Sequence, residues 1–141
     1  MLPAARAVLA ALAEDPLLIS RRLELAIEAL PGRDVCDLLC GTVAGLHGEA
    51  LMAVVAALRA GGRRNPTVLE ELETGLSASD DERLRRIALA ALTVLAEARG
   101  WTTHHRDRLA VYQADSSPLV AGAAQFVFPP PLPSVSRQQP G

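Results

Sequence analysis

The sequence predicts an all-α protein built from helical hairpins stacked along one direction. Three observations lead there. Half of the 141 residues are hydrophobic but only four are aromatic (Trp101, Tyr112, Phe126 and Phe128), so Ala, Leu and Val must build the core. Ala and Leu are strong helix formers, and small Ala lets helices pack closely. No segment shows the apolar–polar alternation of a half-buried strand. Finally, the apolar anchors Leu18, Leu51, Leu84 and Val120 follow one another at steps of 33, 33 and 36 residues. Each would sit in the second helix of a pair, and that period is typical of stacked hairpins, in which each pair covers the apolar face its neighbour leaves open.

The elements follow from local signals. Residues 3–14 read as a first helix. Asp15-Pro16 is a cap followed by a proline at the first helical position, and the second helix runs to Leu30 with Ile19, Leu23, Ala26 and Ile27 on one face. Asp34 is placed to cap a third helix carrying Val35, Leu38 and Leu39 inward, broken near His47-Gly48. A fourth has Leu51, Val54, Val55 and Leu58 as its stripe and stops at Gly61-Gly62. Asn65-Pro66 opens a fifth, with Leu69, Leu72 and Leu76 inward and Glu70, Glu71 and Glu73 outward.

Residues 79–100 are the strongest helix signal. Ser79 is placed to cap it, with Glu82 closing a capping box. Leu84, Ile87, Ala88, Ala91, Leu92 and Leu95 form one face, and Gly100 ends it, with Arg99 in the last turn. Thr102 or Thr103 caps a seventh helix ending near Gln113, and Ser117-Pro118 starts an eighth that reaches about Val127. The repeat domain is thus expected over residues 1–128. Residues 129–141, rich in proline, are expected to form a disordered or polyproline tail.

The sixth helix resembles the second helix of a HEAT repeat through Asp81, Leu84, Arg85, Ala88, Ala91 and Leu92. The eighth repeats the pattern through Asp115, Pro118, Val120, Ala123 and Ala124, departing at Ala121 where the family usually carries Arg. The first pair keeps only Asp15-Pro16 and its stripe, and the second only its stripe. The resemblance implies a right-handed α-solenoid (αα-superhelix) of about four HEAT-like hairpins, of the kind that serves as a protein–protein interaction scaffold. A second reading is a nucleic-acid-binding domain similar to the HEAT-like DNA glycosylases, with Trp101 and Asp107 loosely in place of that family's Trp and Asp. The net charge of −2 counts against it.

No constellation converges on catalysis. Cys36 and Cys40 lie one turn apart with His47 nearby, short of the three or four ligands a metal needs, and read as packed thiols. His104-His105-Arg106-Asp107 has acid–base residue types, but adjacent helix positions do not face one another. The glycines make no phosphate-binding loop. Neither a cofactor nor a metal is expected. Arginines cluster at 59, 63 and 64, at 83, 85 and 86, and at 99, 106 and 108, among carboxylates able to neutralise them.

The residues expected to meet a protein partner are Arg83, Arg85, Arg86, Trp101 and Arg106. Pro130-Pro131-Leu132-Pro133 could also dock into an aromatic-lined groove. All fourteen basic residues are arginine, which in codon terms suits a GC-rich bacterial genome. The N-terminus lacks a secretory pattern and no apolar run spans a bilayer, so a cytoplasmic location is the simplest expectation.

Overall fold

The computed structural model describes residues 16–42, 48–62 and 64–131, the side chains of 16–22 and 42 excepted. The expected helix over 3–14, His47, Arg63 and residues 132–141 of the expected tail lie outside these. Among the described residues the chain is all-helical, with helices α1 (Pro16–Ala29), α2 (Gly32–Thr42), α3 (Glu49–Gly62), α4 (Pro66–Leu76), α5 (Glu82–Arg99), α6 (Thr103–Gln113) and α7 (Pro118–Ala124). None of them is long and apolar enough to cross a membrane.

α1 packs along α3, α3 along α5, and α5 along α7; α2 packs along α4 on the other side. α4 against α5, and α6 against α7, join the two rows. The anchors Leu51, Leu84 and Val120 are all buried. α1 and α3 pack backbone to backbone at Gly61, where an added Cβ would stand 3.2 Å from both the Cα and the carbonyl oxygen of Glu24. A glycine there lets two helix backbones meet.

Several starts and stops differ from the sequence expectation. α2 begins at Gly32, so Asp34 sits within its first turn and does not cap it. Gly32 N–H instead donates to Glu71 Oε1 on α4 at 3.1 Å. Asn65 does precede α4, but its side chain makes no cap bond; Nδ2 donates to Ile27 O at the end of α1, 3.3 Å away. α5 is capped by Asp81, whose Oδ1 accepts from Arg83 N at 2.9 Å; Ser79 only accepts from Asp81 N. Aspartate is both a good cap and a charge suited to the positive helix end, so it outcompetes the serine two residues earlier.

A capping box does form, in α6. Thr102 Oγ1 accepts from His105 N at 3.2 Å, and His105 takes the reciprocal position. α7 stops at Ala124, short of Val127, ahead of Pro129. Gly100 ends α5 at φ +96°, a conformation open mainly to glycine. α5 itself is buried on every side from Ile87 to Ala96, including Leu89, Ala90, Thr93, Val94 and Ala96 outside the expected stripe. Among the described helices it is the central one. Glu73 is likewise buried, not outward as expected.

Candidate functional site

The side chains of Arg83, Arg85 and Arg86 leave the first turn of α5 in different directions, and their environments separate them. Arg83 folds back on Asp81, with Nη2 at 2.9 Å from Oδ2. That pairing raises the arginine's proton affinity and holds the Asp81 carboxyl below its usual range. Arg85 reaches across to the α6–α7 turn. Its Nε and Nη2 donate to the two oxygens of Asp115 at 2.9 and 3.0 Å, and Nη1 donates to Ser79 O and Asp80 O. The Arg85 guanidinium lowers the Asp115 carboxyl, helped by a hydrogen bond from Ser117 N. Ser117 in turn donates to Glu82. Arg85 therefore bolts one hairpin turn to the next.

Arg106 donates to Trp101 O at 3.3 Å and to Pro130 O at 2.5 Å, fastening the segment after α7 to the start of α6. Trp101 is half-buried against the core and edge-on to His105, with ring centroids 6.4 Å apart. Arg85, Trp101 and Arg106 thus make contacts that join separate parts of the fold, while Arg83 pairs locally with Asp81. His104 and Asp107 are exposed and His105 is buried in its cap, so the three do not converge.

Arg86 is different. It is half-buried, and among the described residues no carboxylate pairs with it. Burial, then the neighbouring charge of Arg59, lowers its proton affinity. Arginine still stays protonated at neutral pH, so two cations share one place. That place is a groove of about 290 Å³ between α3, α5 and the segment after α7. Val55, Leu89 and Val127 give it apolar walls, and Phe126 stands at its edge. Arg59 reaches Glu97 only at 3.9 Å, with about half of each side chain exposed.

After α7 the chain turns its side chains alternately: Val127 and Pro129 inward, Phe126 and Phe128 outward, 79% and 81% exposed. Both phenylalanines of the chain thus face solvent, Phe126 at the groove. The sequence pattern missed this, because it extended the last helix through Val127. The Pro129-Pro130-Pro131 run was the available signal for an earlier stop.

Sequence reasoning also missed a buried polar cluster. Glu73 Oε2 accepts from Tyr112 Oη at 2.6 Å and from Arg108 Nε and Nη2 at 3.1 and 2.8 Å. Burial and the Glu73 carboxylate push the Tyr112 hydroxyl well above its usual pKa. Glu73 lies four residues after Leu69 and three before Leu76, so its place on the apolar stripe could have been read from spacing. Tyr112 and two Arg108 nitrogens donate to one carboxylate oxygen, which makes the cluster a structural tie between α4 and α6.

A second hollow, about 370 Å³, opens between α2 and α4 beside Cys36, with Asp37, Glu70 and Glu71 at its rim. Burial, then Cys40, Asp37 and Glu71, pushes the Cys36 thiol up to about 11, and Sγ donates weakly to Glu71 O. Among the described residues no group of three or more His, Cys, Asp or Glu side chains could hold a metal ion. The groove, whose half-buried cation has no paired carboxylate among the described residues, is the feature that packing leaves unexplained. Comparison with protein-family models, curated proteins and solved structures finds no match to this chain.

Proposed function

We propose that this chain is a non-catalytic protein-binding scaffold, a short right-handed α-solenoid of HEAT-like hairpins working in the bacterial cytoplasm. The repeat reading draws support from the side-chain ties between elements. Arg85–Asp115, Cys36–Glu71, Ser117–Glu82, Arg108–Glu73 and Tyr112–Glu73 join residues 30, 35, 35, 35 and 39 positions apart. Each spans about one repeat, as expected where a hairpin touches only its neighbours.

The binding reading rests on one observation, Arg86 in the α3–α5 groove with no carboxylate paired to it among the described residues. A half-buried charge without a counter-charge costs folding free energy. Sites that weaken the fold in this way are often retained for function.

The test is affinity capture by the immobilised full chain from nuclease-treated lysate of its native source, read by mass spectrometry. The expected result is a protein retained by the wild type and lost with Arg86→Gln. Capture that requires intact nucleic acid, or that ignores Arg86→Gln, would overturn the proposal.

A further inference from the structure

The groove also carries information about what fills it. We propose that it receives an acidic linear segment of the partner protein, with one carboxylate between Arg59 and Arg86 and an adjoining apolar side chain against Val127 and Phe126. This rests on the protein-binding reading above.

The donor inventory points to an acceptor ligand. Among the described residues lining the groove, Arg59 and Arg86 are the charged ones, and guanidinium groups only donate. The Thr93 hydroxyl has already given its proton to Leu89 O at 2.9 Å. A planar carboxylate suits the guanidinium fork. It would also supply the counter-charge that no described residue gives Arg86.

The apolar walls argue against a bare inorganic anion. So does the exposed Phe126, over which a neighbouring peptide residue would lie. The other charges argue against a nucleic-acid backbone, which is held by a track of free cations. Here Arg64 is paired with Glu28, Arg85 with Asp115, Arg99 with Glu70 and Arg108 with Glu73. The chain's own residues 132–141 are a poor occupant, since they carry Arg137 and no acidic side chain.

The experiment measures fluorescence anisotropy of the purified full chain with three labelled probes. These are a decapeptide alternating leucine and glutamate, its leucine–glutamine counterpart, and a thymidylate decamer. Arg86→Gln is compared with the wild type and with Arg33→Gln, a change outside the groove, each variant first shown to melt no lower than the wild type. The glutamate peptide should bind at least about tenfold more tightly than the glutamine peptide, and Arg86→Gln should remove that preference. Arg33→Gln should keep it, and added salt should weaken it.

Equal binding of the two peptides, a preference unmoved by Arg86→Gln, or tighter binding of the thymidylate decamer would overturn the assignment. If the glutamate peptide fails while lysate capture still depends on Arg86, the acidic-segment assignment falls and the protein-binding reading stands. If capture ignores Arg86 as well, both fall.

Discussion

Replacing Arg85 by methionine separates an arginine that holds the fold from one that is free to bind. The substitution keeps an apolar stem but removes two charge-assisted hydrogen bonds to Asp115 and two bonds to the Ser79 and Asp80 carbonyls. Each charge-assisted bond is worth about 1.5–3 kcal/mol when enclosed. The pair keeps 17% and 11% of its side-chain surface exposed, so water screens part of this. We expect Arg85→Met to destabilise the fold by about 2 kcal/mol. For a domain of this size that lowers Tm by roughly 6–8 °C.

The assay is thermal and urea unfolding followed by helical circular dichroism, on Arg85→Met, Asp115→Asn and the double variant. The double variant should lose little more than either single one, giving a coupling of about 1–2 kcal/mol. The pH dependence has a fixed sign. The folded Asp115 carboxyl is held below its ordinary pKa, chiefly by Arg85, so the pair's contribution is complete above about pH 4. It is lost as the pH falls further, through the folded pKa. Additive losses in the double variant, or an Arg85→Met melting point within about 1 °C of the wild type, would refute the bolt.

Two further predictions concern packing and thiol chemistry. Gly61→Val should cost about 2–3 kcal/mol, because its Cβ already meets the Glu24 backbone at 3.2 Å and the branched carbons would force α1 and α3 apart; a wild-type urea midpoint would contradict this. Exposed Cys40 should react with iodoacetamide at pH 8 well before Cys36, whose thiol at about 11 leaves only on the order of one part in a thousand ionised, as peptide mass mapping over time would show.

Most helices were legible in the order of residues alone, because their signals are local. Asn65-Pro66 and Ser117-Pro118 fixed the starts of α4 and α7, Thr102 capped α6, and Gly100 ended α5. The apolar stripes were legible for the same reason: Leu51, Leu84 and Val120 sit on helix faces whose period is set by backbone geometry. Local choices between near-equal caps were less legible, as Asp81 displacing Ser79 shows.

Which faces are covered twice and which charges are paired depends on how the helices pack against one another. α5 became buried on all sides because α3, α4 and α7 all pack on it, and no property of its own residues states how many neighbours it will have. Arg85 and Arg86 are adjacent in sequence and identical in type. A helix turns about 100° per residue, so one meets Asp115 and the other is left in a groove beside Arg59. The groove itself depends on where α7 ends and on how the following segment returns to Arg106. Those contacts join distant residues, and periodicity within a single helix carries no record of them.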